Sequence, residues 1–460
     1  MVKLCHENRL KVLEKLRSGD IDSIALSQTN LVDDIILAMQ SSDILQCLKN
    51  GIPDKRAHNT VIPFDLVWAL AIAAKMKVRT SLTDIPHAIT DHRTLAKLGY
   101  TLVSDDGVGN DLMRESSLRF LLGKYDPAEF IAYYNTVYQD YISPIKDIKP
   151  NIHILDCTDL EVNYTNDHYE KSGIAISKNG GYARGYKLAT LRGIYQDTGV
   201  IEEIKLGAIN THDLALSEDM LKNTKVFNRS DILINDRGFI SRDLINYLKI
   251  VRGVDTYVPL RKNMDAFDYA VRLAKMGGEW QAHPNRKRAT QKIAFVSGIG
   301  SAWCSSSPDN DVPINACVVW DTEINEYFVF ATTDLNKSDK EIIMTYELRP
   351  EVEEDYRQLK DFWKLEDFKS TKLSVIAFHI VCVLFGYLFF QLYTATDAGN
   401  KYAKKSLPVI LKGYDAKTLK YVIAYVDVWF GIFSLLELMD IYADVSESIR
   451  EKLKPMVEGV

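Results

Sequence analysis

Three acidic residues stand where their types and surroundings suit chemistry. Asp156 closes the apolar run Ile152-His153-Ile154-Leu155 and is followed by Cys157-Thr158; Asp236 closes Ile232-Leu233-Ile234-Asn235 and is followed by Arg237-Gly238-Phe239. A carboxylate at the end of a buried strand is held by a rigid element and can be aimed at a shared site, which suits a metal ligand. Taken singly, each is equally what an ordinary turn looks like, because strand-end aspartates commonly start turns or cap helices. The third acid, Glu353, lies in the stretch YELRPEVEEDYRQLK at residues 346–360. Seven residues advance a helix by about 700°, so Glu353 and Lys360 share a face. Arg349, four residues before Glu353, lies on that face or caps it, and Tyr346 is a further step back. Pro350 is tolerated at a first helical position, so the helix is predicted to start there, with Tyr346 and Arg349 on the segment leading in. A surface helix with ordinary charge pairs explains the same stretch.

These residues need elements to position them. Residues 1–146 have helical periodicity, with a buried helix over 64–77, one or two amphipathic turns over 81–98 and another helix over 126–142. They contain no catalytic motif, and a helical scaffold and a binding domain both fit. From residue 151 the character changes. Strands are predicted at 152–156, 185–194 and 200–209, with a turn over 196–199, then a helix over 214–225, a strand over 231–236, a helix over 241–252 and a strand over 256–260. The order is β-β-β-α-β-α-β. Residues 297–333 are rich in Gly, Ser, Trp and β-branched types, with turn signals at 307–310 and 321–323, which predicts a β-rich insertion. Helix returns from 341 onward.

The 21 residues 373–393 carry no formal charge and are long enough to span a bilayer. Ser374, His379 and Gln391, the isolation of the span and its place behind the charged helix predict a buried core helix instead. Residues 401–420 are basic and 427–447 acidic, a pattern that solvated helix faces explain.

A chain of 460 residues, 47% hydrophobic and 26% charged, has enough material for two or three domains with a sizeable core. Disorder, collagen-like repeats and coiled coil are excluded. The formal net charge of -6 argues against a uniformly basic coat but not against a local basic groove. Between residues 249 and 292 ten Lys and Arg face four acids, and Arg286-Lys287-Arg288 is the densest cluster. A solvated loop and a phosphate-contacting edge both account for it. Six scattered cysteines form no C-x-x-C pair, which fits a reducing cytosol rather than a zinc knuckle or disulfide scaffold. The first 19 residues hold no apolar core, so no signal peptide is expected.

Together, Tyr346, Arg349, Glu353 and Lys360 form Y-x2-R-x3-E-x6-K. This resembles the signature of the DDE transposases of bacterial insertion sequences, specifically the Y-R-E-K group. Asp156 in LDCTD is similar to that family's first aspartate region, and Asp236 in INDRGF to its second. The three regions occur in family order, over residues 151–394. Pro350 departs from the group, where Trp is frequent.

The resemblance implies an α/β fold: an RNase H-like catalytic core, a β-rich insert, a helical N-terminal domain and a helical C-terminal tail. The expected division is 1–146 for DNA-end binding, 147–261 for the first part of the core, 262–340 for the insertion, 341–395 for the second part with the glutamate helix, and 396–460 for dimerisation. It further implies two Mg2+ or Mn2+ ions held by Asp156, Asp236 and Glu353. Such ions, about 3.5 to 4 Å apart, stabilise both the attacking and the leaving oxygen of an in-line displacement. Hard Mg2+ prefers oxygen ligands, as three carboxylates supply. The same site is expected to cleave one strand at an element end and to join the freed 3'-OH to target DNA. Arg349 and Lys360 are implied as phosphate holders, the first by its planar fork and the second as a point charge, with Tyr346 bonding the same backbone. Trp280, Trp303 and Trp320 are candidates to stack on a flipped base, although core packing also suits Trp320. The expected partners are double-stranded DNA, as element terminal inverted repeats and target, and a second copy of the chain in a synaptic homodimer. No membrane is expected, and the expected location is cytoplasmic and nucleoid-associated. The weighed alternatives are a catalytically inactive or domesticated DNA-binding transposase, a membrane-associated protein, and a carboxylate-dependent hydrolase of another substrate.

Overall fold

A computed structural model describes residues 2–57, 62–89, 91–102, 113–162, 168–176, 180–195, 198–299, 312–403, 405, 407, 409–411 and 419–458. Its contacts divide the chain into two compact units, residues 134–357 and residues 1–133 with 358–460.

The first unit is built on one ten-stranded sheet. Its strands are Ile152–Val162 (β1), Gly173–Ile176 (β2), Tyr182–Tyr195 (β3), Thr198–Ala208 (β4), Ile232–Asn235 (β5), Asp255–Pro259 (β6), Gln281–Ala282 (β7), Gln291–Val296 (β8), Asn315–Asp321 (β9) and Glu326–Thr332 (β10). They lie in the order β7-β8-β9-β10-β6-β5-β1-β3-β2, with β4 paired to β3. β1 and β3, and β3 and β4, run antiparallel, whereas β5 runs parallel to β1 and β6 parallel to β5. The parallel steps are made through helices Asp213–Asn223 and Arg242–Tyr247. The expected β-β-β-α-β-α-β order is present, with one short extra strand, β2. Leu155, Leu191 and Leu233 come together from β1, β3 and β5 and pack with Leu221 and Leu244 of the two helices. That covering explains why the central strands read as apolar runs rather than as a clean alternation.

One expectation about this unit needs correction. Asp156 does not end its strand: β1 continues to Val162, because long β3 supplies a ladder partner for every residue from His153 to Val162. The pairing keeps polar Thr158, Asp159 and Glu161 extended where the local sequence signals a turn. The β-rich insertion exists as β7–β10, but it prolongs the central sheet through the antiparallel pairing of β10 with β6. It opens with a helix, Asp265–Gly277, that buries Ala266, Phe267, Ala270, Val271 and Ala274 at amphipathic spacing. The turn signal at 307–310 and residues 196–197 lie outside the described residues.

The second unit centres on the apolar helix Leu373–Thr394, of which 89% of the most apolar window is buried within the fold. Its Phe378 packs on Trp68 of helix Phe64–Met76 at 5.1 Å between ring centroids, and Trp68 lies 4.3 Å from Tyr133. Within this unit the helix is surrounded by protein side chains, as a core helix is. The N- and C-terminal regions are not purely helical as expected. Ser23–Thr29 and His6–Glu7 join Leu419–Val426 and Trp429–Phe433 in a four-stranded sheet. Residues 419–433 carry an aromatic and β-branched pattern that favours strands over a solvated helix. Asp427, at φ 52, begins the two-residue turn between them.

Candidate active site

One guanidinium meets all three acids. Arg349 Nη2 lies 2.9 Å from Asp156 Oδ2 and 3.7 Å from Asp236 Oδ2, and its Nη1 lies 2.6 Å from Glu353 Oε1. The three carboxylates come from three elements, namely the middle of β1, the end of β5 and the helix Pro350–Asp361. Among the described residues no three His, Cys, Asp or Glu side chains are grouped closely enough to hold one metal ion as placed. What joins the acids is Arg349.

Local structure explains the aim of each side chain. Asp156 Oδ1 accepts from the backbone N–H of Cys157 at 2.8 Å, which leaves Oδ2 for the guanidinium. Asp236 caps the short 3-10 turn Arg237–Phe239, accepting from Arg237 N at 2.7 Å. The Glu353 helix starts at Pro350, as its fixed φ favours. It buries Val352, Asp355, Tyr356 and Leu359, a stripe at three- and four-residue spacing, so Glu353 stays on the exposed side. Asp355 and Glu351 of this helix are held from the sheet. Arg192 of β3 donates to Asp355 at 2.5 Å and lies 3.1 Å from Glu351, fastening the helix to the sheet.

Electrostatics follow from burial. Asp156 is pushed up to about 6, mainly by desolvation, with Arg349 pulling the other way. Burial works against a charged Arg349, but the carboxylates of Asp156 and Asp236 outweigh it and hold the guanidinium above its usual range. The Tyr346 phenol is raised by burial; its ring packs on Phe330 at 4.8 Å. The Nε of Arg349 is buried and has no hydrogen-bond partner among the described residues.

The remaining candidates separate. Tyr346 ends helix Asp339–Tyr346, immediately before the turn that carries Arg349. Lys360 occupies the last turn of the Glu353 helix and pairs with Glu366 at 2.8 Å. Arg288 is engaged by Glu347 at 2.6 Å, whereas Arg286 and Lys287 are exposed with no ion pair among the described residues. Other basic residues of that segment are also occupied: Lys249 by Asp255, Lys262 by Glu326, and Arg261 by the Arg237 carbonyl. Trp280 and Trp320 meet at 5.7 Å in a half-buried aromatic cluster with Tyr327; Trp303 lies outside the described residues.

Sequence reasoning missed Thr190, Arg192, Tyr356 and Glu347, which act through contacts distant in the chain. It also missed a fully buried cluster in which His153 lies between Glu202, at 2.6 Å, and Asp231, at 3.2 Å.

The sequence model of the family described as "Transposase DDE domain" matches residues 148–389. The chain belongs to the DDE transposase family. The match covers just over half of the 460 residues and contains Asp156, Asp236 and Glu353 as well as Tyr346, Arg349 and Lys360. No curated protein matches the chain. DDE transposases act on DNA and in general use divalent metal ions. The site's donors suit such ions: three carboxylates against one guanidinium leave an excess of two negative charges, all on hard oxygen. The three acids converge on this guanidinium, a cation that the chain itself supplies.

Proposed function

We propose that this transposase belongs to the Y-R-E-K group and that Asp156, Asp236 and Glu353 hold two divalent ions, Mg2+ or Mn2+. The observation that carries the reading is the convergence of the three acids on the single cation Arg349. The strand order β4-β3-β1-β5-β6, antiparallel on one side of β1 and parallel on the other, supports an RNase H-like core. When bound, divalent ions stabilise the attacking and leaving oxygens of a phosphodiester and make water or a 3'-OH nucleophilic near neutral pH. The chain's part is to hold the acids on rigid elements and to place cations on the DNA. Arg349 then exchanges carboxylate for phosphate, with Nε as a further donor, and Lys360 and Tyr346 contact the same backbone. Arg286 and Lys287 contact phosphates leading to the site.

On this reading the protein cuts one strand at each end of its element and joins the freed 3'-OH to target DNA. Two copies act together to pair the two ends, in the cytoplasm on the nucleoid. The test uses a supercoiled plasmid carrying the element ends, incubated with Mg2+ and either wild type or Asp236→Ala. End-specific nicks and joined products are expected from wild type alone. Equal products from a correctly folded Asp236→Ala would end the proposal.

A further inference from the structure

We propose that Tyr356 is a positioning residue for the acid site, and this rests on the metal-binding reading above. Tyr356 lies three residues after Glu353, just under one helical turn away and on the buried side of the same helix. Its hydroxyl donates to the backbone carbonyl of Asp156 at 2.8 Å and lies 2.6 Å from Thr190 Oγ1. Thr190 is the cross-strand partner of Asp156 in the β1–β3 ladder. One hydroxyl therefore ties the helix of the third acid to the strand pair of the first.

The tie is made in a buried place. Tyr356 is 6% exposed and Thr190 0%. A hydroxyl there is well satisfied only when it has a donor and an acceptor at fixed positions, which gives the contact a direction that apolar packing lacks. On the same helix Arg192 holds Asp355, the residue before Tyr356, so the helix is fixed in rotation as well as in distance. Glu353 is itself exposed, and among the described residues its carboxylate is bonded by Arg349 alone. Its position relative to Asp156 is set from behind, by Tyr356.

The test is a Mn2+ titration of the full-length protein, followed by electron paramagnetic resonance, alongside the metal dependence of DNA nicking. Partners that orient metal ligands typically contribute roughly 10- to 100-fold in metal affinity. Tyr356→Phe keeps the ring and removes the hydroxyl, so the Mn2+ affinity of the acid site should fall by about 10-fold or more, with half-maximal nicking shifted to higher metal. Tyr134→Phe is the control, since it removes another buried hydroxyl, one that donates to the Ile201 carbonyl at 2.7 Å. It should lower the melting temperature and leave Mn2+ affinity unchanged. If Tyr356→Phe fails to fold, Thr190→Val frees the hydroxyl on one side and should weaken Mn2+ binding several-fold, by about the lower end of that range. Wild type binding more tightly than Asp236→Ala but no more tightly than Tyr356→Phe, or than Thr190→Val where that variant is needed, overturns this inference alone. Wild type and Asp236→Ala binding alike overturns the metal reading and the inference with it.

Discussion

The guanidinium of Arg349 and the carboxylate of Asp156 meet at 2.9 Å, with side-chain exposures of 16% and 11%. Arg349 is thus the internal counter-charge of an acid that burial pushes up to about 6. Arg349→Gln removes that charge and leaves three carboxylates facing one another. At pH 8 the variant should lose about 1–3 kcal/mol of stability, less at pH 5, where Asp156 is largely protonated. Mn2+ should then raise the melting temperature of Arg349→Gln more than that of wild type. Melting curves with and without Mn2+ decide this, and identical shifts in both proteins speak against a shared cation site.

The buried His153 gives the fold its own pH dependence. Burial alone lowers its pKa, but Glu202 and Asp231 outweigh burial and lift it to about 9. A pKa raised in the folded state stabilises fully below the unfolded value, near 6.5, and that contribution is lost as pH rises through about 9. Urea unfolding should show lower stability at pH 9.5 than at pH 7. His153→Gln should cost about 3 kcal/mol at pH 7 and flatten the slope. A variant that keeps the wild-type slope would assign the pH dependence elsewhere.

How much of this was legible beforehand depends on the range of the interaction. The helix start at Pro350, the facing of Arg349 and Glu353, and the strand-helix order from Ile152 to Pro259 follow from local rules of φ, periodicity and spacing. The continuation of β1 past Asp156 does not, because Thr158, Asp159 and Glu161 are held extended by β3. The hairpin at 419–433 falls inside a tail expected to be helical, although the alternation of Tyr421, Ile423 and Tyr425 is a strand pattern. Tyr356, Thr190 and Arg192 had no local signal: a Tyr in an amphipathic helix looks like packing until its hydroxyl is found on Asp156, 200 residues away.

In the basic turn Arg288 is engaged by Glu347, whereas Arg286 and Lys287 have no ion pair among the described residues. Arg286→Ala with Lys287→Ala should weaken DNA binding across sequences and reduce the salt slope by about 1 for each residue. Arg288→Ala, which releases Glu347, should change the slope less. Fluorescence anisotropy over a range of salt concentrations measures both. An unchanged slope in the double variant removes these residues from the DNA path.

Gly199 is needed for space. A Cβ there would overlap the guanidinium of Arg192, the side chain that holds Asp355. Gly199→Ala should therefore cost about 2–3 kcal/mol by urea unfolding. Gly277→Ala, at a helix end with open space around it, should stay within about 0.5 kcal/mol of wild type. Equal effects at the two positions would show that Arg192 has room to move.

The most direct measurement is single-turnover cleavage of a labelled element-end DNA at saturating Mg2+, with wild type and Glu353→Gln compared at matched folding and DNA occupancy. Glu353→Gln preserves shape and removes one carboxylate charge from the three that face Arg349. The expected result is a Mg2+-dependent nick at one position for wild type, and a rate at least about 100-fold lower for the variant, since losing a ligand should cost no less than losing a partner that orients one. Cleavage by Glu353→Gln at the wild-type rate, or wild-type cleavage that persists in chelator, would contradict the assignment of the three acids.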